Sequence, residues 1–372
     1  MRISQGYGTC LCKNKAAMAG LETFEVGPCE EAYEMGYLVG QSFSHLIRSR
    51  VDSDLILRHQ LLPFARSPEA QPLIQSLSTA NREMFPRYWD ELSGMADGSG
   101  VSALQLVLLN FRKEILPFLP KTAAVQESPV TGDDDCSDVL VVNKAMAIAA
   151  HNEDANVALV GHTYLIKATL PGRLSFTAYT YAGELPSCAF GFNSYGMAYT
   201  LNSVPPIQDE IFAGGIGRNF ISRSLLEATD IDDAMSRIRS CNVSVGHSYN
   251  LVDVRGRKIM NVETASRKRI SVREVGSTPF FHANMYMHLQ VEQVQDENSI
   301  CRHKRAAQLS AHSEAEILSI LGDTDNEKYP IYMSGPTLYT LCTALIDLDK
   351  QTLSIIEGNP KNGGVSHLLQ MY

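Results

Sequence analysis

The sequence predicts an α+β fold in which β-sheets pack face to face and helices cover them on the outside. Apolar residues repeat three and four positions apart from Pro28 to about Pro120, as they do along helices that bury one face. After Cys136 the pattern changes to short runs of β-branched and aromatic residues, interrupted by stretches with helical spacing. Such blocks of strands and helices do not fit the regular alternation of a doubly wound parallel sheet.

The N-terminal part is predicted to consist of helices that end at an acidic loop. Apolar positions with helical spacing are clearest around residues 73–89 and 101–116. Residues 122–135 then contain Pro129, Gly132 and three consecutive aspartates, so we expect an exposed loop there.

The remaining two thirds of the chain is predicted to be mainly short strands. Helices are expected at residues 218–228, 231–238 and 299–319, the first of them entered through the glycine-rich loop at 214–217. Strands are expected at residues 139–142, 146–150, 164–169, 174–181, 197–201, 249–254, 259–263, 270–275 and 280–283, with a closing hairpin of 338–348 and 352–356.

Composition excludes several classes of protein. The 372 residues are 44% hydrophobic and carry a formal charge of −9, a sign that disfavours binding to nucleic acid. No run approaches the roughly 18 to 20 apolar residues of a membrane span, and the first residues lack the apolar centre of a secretory signal. We therefore expect a cytoplasmic protein that binds neither nucleic acid nor membrane.

The cysteines are predicted to be free thiols, and no cofactor is predicted. Eight cysteines are scattered along a long chain, which is unlike the dense framework of a small disulfide-linked domain. No CxxC pair, HExxH motif or His/Cys cluster is present, so we predict no metal.

Cys136 differs from the other cysteines in its setting. It ends the acidic loop and opens the first predicted strand, whereas Cys188, Cys241 and Cys342 lie within apolar runs where a packing role is common. From the residues alone, both a packing role and a role as a nucleophile remain open for Cys136.

Seven segments, in order along the chain, resemble one family. The hairpin after Cys136 ends in Ala-Ala-His-Asn-Glu-Asp at residues 149–154. The others are EMGYLVG at 34–40, ELSGMADGSGV at 91–101 with NFRKE at 110–114, GFNSYGMA at 191–198, HSYNLVD at 247–253, SICR at 299–302 and EGNP at 357–360. Together they are similar to the acyl-coenzyme A:6-aminopenicillanic acid acyltransferase (isopenicillin N acyltransferase-like) family of N-terminal nucleophile (Ntn) hydrolases.

The resemblance implies a four-layer αββα sandwich and self-cleavage. The bond between Asp135 and Cys136 would be cut, leaving an N-terminal helical segment, 1–135, that stays associated with a catalytic chain, 136–372. That chain would be 237 residues long and would begin with the nucleophile.

The resemblance also assigns roles around Cys136. The new α-amino group, with a pKa near 7.7 to 8.0, would serve as general base for the thiol. Asp154 would bind that amine, Asn250 would donate a hydrogen bond to the oxyanion, and Arg302 would stabilise the thiolate or hold a substrate carboxylate.

Two further residues are candidates for the site, and one other catalytic arrangement remains open. Asn193 is a possible pocket residue or a turn residue, and Arg305 shares a helical face with Arg302 and could take its place. A papain-like pair of Cys136 with His247 or His282 is the alternative, and it has no supporting local signature.

The implied function is acyl transfer through a thioester on Cys136. A linear amide or an acyl-CoA would donate the acyl group, and water or an amine would accept it, with hydrolysis expected and no bound cofactor. The family commonly has glycine before the nucleophile, whereas this chain has Asp135. An unprocessed, catalytically silent Ntn-fold binding protein is therefore the alternative.

Overall fold

The computed structural model describes residues 20–120, 135–186 and 188–371. These residues form two β-sheets packed face to face, and helices cover the outer face of each sheet. The predicted four-layer αββα sandwich is confirmed. Residues 122–134 of the predicted acidic loop lie outside the described residues.

The first sheet has eight strands in the order β1-β4-β5-β6-β7-β8-β9-β10. Its pairs are antiparallel except for β1 and β4, which run parallel. The strands are β1 (Glu22–Val26), β4 (Thr163–Thr169), β5 (Ser175–Tyr181), β6 (Phe190–Asn193), β7 (Met197–Ser203), β8 (His247–Asp253), β9 (Lys258–Ala265) and β10 (Arg269–Glu274).

The second sheet has six strands in the order β11-β2-β3-β12-β13-β14, and all its pairs are antiparallel. The strands are β2 (Ser137–Val142), β3 (Ala147–Asn156), β11 (Phe280–His282), β12 (Leu338–Asp347), β13 (Thr352–Ile356) and β14 (Val365–Gln370).

The helices fall into an N-terminal set and two later pairs. The N-terminal set is α1 (Ala32–Ser42), α2 (Ser44–Ser53), α3 (Leu62–Ala65), α4 (Gln71–Met84), α5 (Pro86–Ser99), α6 (Ala103–Asn110) and α7 (Arg112–Ile115). The later pairs are α8 (Arg218–Leu225) with α9 (Ile231–Ser240), and α10 (Glu297–Ala306) with α11 (Glu314–Leu321). Within the described residues, no helix is long and apolar enough to cross a bilayer.

Alternation along the strands separates the layers. On β2, Val139 and Val141 pack with α10 and α11, whereas Leu140 packs between the two sheets. On β7, Tyr199 and Leu201 pack with the N-terminal helices and α8, whereas Ala198 faces the second sheet. Since successive side chains of a strand point to opposite faces, each strand contributes to two cores.

Helices α1 and α5 approach each other through glycines. A Cβ on Gly36 would lie 1.9 Å from the carbonyl oxygen of Glu91, and one on Gly94 would lie 2.1 Å from that of Tyr33. Both distances are far below van der Waals contact, so only glycine permits this backbone approach. Two of the family-like segments are therefore explained by their packing against each other.

The described residues of the N-terminal part pack into the same globule as the rest of the chain. Strand β1 extends the eight-stranded sheet by pairing with β4. Arg50 Nη2 lies 2.6 Å from Glu184 Oε1, and Arg223 Nε lies 3.0 Å from Glu91 Oε2, with all four side chains buried. Buried charges persist only when paired, so these ion pairs specify how the two parts fit together.

Several element predictions differ from the structure. The single helix expected at 299–319 is two helices, and Ser313 caps the second by accepting a hydrogen bond from the Glu316 backbone N–H. Strands β1, β6 and β14 were not predicted. The first and last are short edge strands with few buried side chains, so their sequences carry little alternation.

Candidate active site

Cys136 lies directly before β2, at the end of the space between the sheets. Its side chain is 2% exposed. The β2–β3 register places Ser137 opposite Asn152 and Asp138 opposite His151, so the end of β3 lies beside the cysteine. Cys136 Sγ is 3.8 Å from Glu153 Oε2 and 3.7 Å from the carbonyl oxygen of Asp154.

A buried imidazole links two carboxylates next to this thiol. His151 Nδ1 is 2.9 Å from Asp138 Oδ1, and His151 Nε2 is 2.9 Å from Glu153 Oε2. Tyr181 donates its hydroxyl to Glu153 Oε1. Burial disfavours charge on His151, but Asp138 and Glu153 outweigh it and hold the pKa of His151 well above its usual value. We therefore describe His151 as an imidazolium that donates to both carboxylates.

The thiol of Cys136 is kept protonated in the intact chain. Burial raises the pKa of Cys136 far above its usual range, and the charge of Glu153 raises it further. The hydrogen bond and the charge of His151 lower the pKa of the thiol, but they do not reverse this shift.

Asp154 lies at the Asp135–Cys136 bond. Its backbone carbonyl accepts a hydrogen bond of 3.1 Å from the Asp135 N–H, and Thr340 donates its hydroxyl to Oδ1. Oδ2 is buried and has no hydrogen-bond partner among the described residues. Burial raises the pKa of Asp154 to about 7, although the Thr340 hydrogen bond and the charge of Arg302 lower it.

Arg302, on α10, binds the main chain on both sides of the same bond. Its Nη1 donates to the carbonyl oxygens of Asp135 at 2.7 Å and Cys136 at 2.9 Å, and to Ser137 Oγ at 2.8 Å. Its Nη2 donates to Asn284 Oδ1 at 2.9 Å, and the guanidinium is fully buried. Arg302 is therefore fixed with a cationic nitrogen on the carbonyl that a nucleophile at Cys136 would attack.

Asp135 is buried, so the prediction that it belongs to an exposed loop is wrong. The residue is 4% exposed, and Asn298 donates to its Oδ2 at 2.8 Å. The carboxylate also lies 3.6 Å from Arg302 Nη2. These partners on α10 hold the last residue before Cys136 inside the fold.

Asn250 is joined to the His151 cluster through one hydroxyl. Its Nδ2 donates to Thr200 Oγ1 at 2.9 Å, and Thr200 in turn donates to Asp138 Oδ1 at 2.8 Å. Its Oδ1 accepts from Asn261 Nδ2 at 2.7 Å. The amide is thus held in a fixed orientation on the inner face of the first sheet.

The other predicted site residues have different surroundings. Asn193 bonds to backbone groups of its own turn and donates to the carbonyls of Leu226 and Ala228. Arg305 forms ion pairs with Asp323 and Asp325. In the described structure, neither joins the hydrogen-bonded cluster around Cys136.

Sequence reasoning gave no role to His151, Glu153 or Asp138. The imidazole beside the thiol is His151, while His282 bonds to Glu263. A signal was present in the alternation of β3, since His151 and Glu153 occupy inner-face positions where Ala147 and Ala149 pack in the apolar core. Two charged side chains of opposite sign, at successive positions on a buried strand face, are costly unless they are paired.

The same cluster brings three groups that can bind metal ions close together. The ligand atoms of Cys136, His151 and Glu153 all lie within 4.8 Å of one another. Both nitrogens of His151 are, however, committed to carboxylates, so the imidazole has no free lone pair to offer a metal ion. We assign no metal to this cluster.

These features define a class of site: a buried cysteine between the sheets of an αββα sandwich, with a cationic donor on the preceding carbonyl and a buried aspartate whose main chain is bonded to the preceding residue. The model of the family described as acyl-coenzyme A:6-aminopenicillanic acid acyl-transferase matches residues 141–362, and the chain belongs to this family. The matched region includes Asp154, Asn250 and Arg302 and begins five residues after Cys136.

Two curated proteins are similar to the chain. One is the beta-alanyl-dopamine/carcinine hydrolase of Drosophila melanogaster, 26% identical over 358 residues that cover 88% of this chain and 91% of the relative. The other is the 40 kDa form of acyl-coenzyme A:6-aminopenicillanic-acid-acyltransferase from Emericella nidulans, 25% identical over 56% of this chain and 54% of the relative.

Solved structures give weaker similarities. A variant of conjugated bile acid hydrolase from Clostridium perfringens is 12% identical, with a TM-score of 0.38, and covers 63% of this chain and 92% of that one. Penicillin V acylase from Agrobacterium tumefaciens is 11% identical, with a TM-score of 0.31, and covers 60% and 83%. These TM-scores are too low to carry an argument, and the sandwich is established by the strand order and layers described above.

Proposed function

We propose that the protein is a self-processing N-terminal-cysteine amidohydrolase or acyltransferase that works through a thioester on Cys136. The observation that carries the proposal is the environment of the Asp135–Cys136 bond. Arg302 donates to the Asp135 carbonyl, and the backbone carbonyl of Asp154 accepts from the Asp135 N–H. Asp154 also has a buried carboxylate oxygen without a hydrogen-bond partner among the described residues, which suits an amine that exists only after cleavage.

Self-cleavage begins with attack of the Cys136 sulfur on the Asp135 carbonyl carbon. The Arg302 donor stabilises the negative charge that develops on the carbonyl oxygen. The C–N bond then breaks, the nitrogen of Cys136 becomes a free amine, and Asp135 is held as a thioester. Water hydrolyses the thioester, which restores the thiol and frees the Asp135 carboxyl group.

The same atoms then serve the substrate. The α-amino group of Cys136 has a pKa near neutral pH and acts as general base for its own thiol. Asp154 orients that amine, and Asn250 donates to the oxyanion of the tetrahedral intermediate. The substrate acyl group passes to Cys136 as a thioester, and water or an amine accepts it.

The two chains are proposed to remain together after cleavage. Residues 20–120 contribute β1 to the first sheet and form the buried pairs Arg50–Glu184 and Glu91–Arg223 across the proposed division. Separation would expose unpaired buried charges and a large apolar core, which is strongly unfavourable. The proposed division is therefore 1–135 and 136–372.

The proposed substrate is a small linear amide or an acyl-CoA. The Drosophila relative is named as a beta-alanyl-dopamine/carcinine hydrolase and matches over nearly its whole length, which favours hydrolysis over transfer to an amine. The six cysteines within the described residues are free, which favours the reducing environment of the cytoplasm.

Denaturing mass spectrometry of the untagged wild-type chain and a Cys136→Ala variant tests the proposal. Cleavage divides the 41.0 kDa chain into pieces of about 15 and 26 kDa, scaled by residue count. We expect both pieces in the wild type, with Cys136 as a new N-terminus, and one intact chain in the variant. Amide and acyl-CoA donors are then screened for thioester formation on Cys136.

An intact wild-type chain after long incubation, without acylation of Cys136 by any donor, contradicts the proposal. That result would favour the silent binding protein.

A further inference from the structure

We propose that Glu153, held by His151, accepts the thiol proton of Cys136 during self-cleavage. This inference rests on the proposed function and concerns its first step. It assigns Glu153 as the base of the processing reaction and His151 as the residue that positions and compensates it.

Self-cleavage needs a base other than the one used in turnover. In the intact chain the nitrogen of Cys136 is part of the Asp135–Cys136 amide, which has no basic lone pair to take a proton. The α-amino base becomes available only when this bond has broken. Some other group must therefore activate the thiol for the first attack.

Glu153 is the side-chain acceptor placed to do this. Its Oε2 is 3.8 Å from Cys136 Sγ, within the range of a hydrogen bond to sulfur. Both oxygens of the carboxylate are fixed, one by His151 and one by Tyr181. Among the described residues, the charged groups around the thiol are Glu153, His151 and Asp154 from β3, Asp138 from β2, Arg302 from α10 and Asp135, the residue before Cys136.

The charge balance favours an internal transfer over loss of the proton to solvent. Loss to solvent leaves an additional negative charge in a buried site, which is the reason for the raised pKa of the thiol. Transfer to Glu153 adds no charge, since it neutralises one anion and creates another. The new thiolate stays beside the His151 imidazolium, which has a ring nitrogen within 4.8 Å of Sγ.

The step uses only the Cys136 thiol, the Glu153 carboxylate and the Asp135–Cys136 amide. The S–H bond of Cys136 breaks and an O–H bond forms on Glu153. The thiolate forms a bond to the Asp135 carbonyl carbon, and the electron pair of the C=O moves to oxygen. When the C–N bond breaks, the departing nitrogen takes the proton back from Glu153. The carboxylate is thereby regenerated.

The arrangement separates processing from turnover. After cleavage, the free amine of Cys136 is closer to its own thiol than any other base and takes over proton transfer. Loss of the Glu153 carboxylate is therefore expected to slow cleavage far more than it slows turnover by chains that have been cleaved.

The test follows cleavage in intact chains isolated unfolded in urea and then diluted into folding buffer. Wild type, Glu153→Gln and Glu153→Asp are compared from pH 7.5 to 9.5, above the pKa of Asp154. Glu114→Gln is the matched control, because Glu114 is also a fully buried carboxylate and accepts from the Arg218 backbone N–H. Circular dichroism at each pH verifies folding.

In wild type, the cleavage rate is expected to be nearly constant over this range, because an internal base needs no hydroxide. Glu153→Gln is expected to cleave at least 100-fold more slowly, with a rate that rises tenfold per pH unit as hydroxide takes over. Glu153→Asp should recover part of the loss, and Glu114→Gln should match wild type. Per cleaved chain, kcat of Glu153→Gln should stay within tenfold of wild type.

Three results overturn the inference. The first is a wild-type cleavage rate that rises tenfold per pH unit, and this result decides the matter even if the variants fail to fold. The second is an equal cleavage rate for wild type and Glu153→Gln, which leaves the proposed function intact. A wild-type chain that folds and never cleaves removes the inference together with self-processing.

Discussion

Replacing Asp154 by asparagine is expected to change how the stability of the intact chain depends on pH. The substitution is made in a Cys136→Ala background, so that neither chain can cleave itself. Asparagine keeps an oxygen that accepts from Thr340, but it has no carboxylate to ionise. The comparison thus isolates the cost of an ionised Asp154 in a buried site.

The magnitude follows from the pKa of Asp154 in the two states. It rises from an ordinary 3.8 to about 7 in the fold, mainly because of burial. Between these values the unfolded chain has lost the proton and the folded chain has kept it, so stability falls as pH rises. A pKa difference of about three corresponds to about 4 kcal/mol, fully present above pH 7 and absent below pH 4.

Urea unfolding at pH 4, 5, 6, 7 and 8, followed by circular dichroism, measures this difference. The unfolding free energy of the Asp154→Asn chain minus that of its parent should increase by about 4 kcal/mol from pH 4 to pH 8. Fixed costs of the substitution cancel in that change, as do the titrations that both chains share. A difference that stays constant within about 1 kcal/mol would refute the raised pKa of Asp154 in the folded chain.

Three further substitutions test other parts of the structure. Asn250→Ala should lower kcat by about 10² to 10³, with a smaller change in KM, as expected for loss of an oxyanion donor; steady-state kinetics on purified cleaved protein measures this. Arg302→Lys should slow self-cleavage at least 100-fold, because lysine lacks the planar group that reaches both flanking carbonyls and Ser137. A time course by mass spectrometry measures this, and cleavage at the wild-type rate would contradict the role of Arg302. Gly94→Ala should lower the unfolding free energy by about 2 to 3 kcal/mol in urea titrations, because its Cβ would meet the Tyr33 carbonyl, whereas Gly276→Ala, with open space around it, should stay within about 0.5 kcal/mol.

The fold class was readable from local patterns because each pattern reflects local chemistry. Spacings of three and four marked the N-terminal helices, and short β-branched runs marked most strands of both sheets. Edge strands β1 and β14 were not predicted because most of their side chains are exposed or only partly buried. The break between α10 and α11 was not predicted because the whole stretch keeps a helical pattern and only the cap at Ser313 marks the start of the second helix.

The sequence by itself determined the family resemblance, the special setting of Cys136 and the presence of Asp154, Asn250 and Arg302 in order along the chain. Which atoms face each other was decided by the tertiary structure. Strand register brings His151 and Glu153 next to Cys136, and α10 places Arg302 on carbonyls that lie more than 160 residues away in sequence. Hydrogen bonds and desolvation act over a few ångströms in space, so the hydrogen bonds from Thr200 to Asp138 and from Tyr181 to Glu153, each of which joins the two sheets, exist only once the sheets have closed.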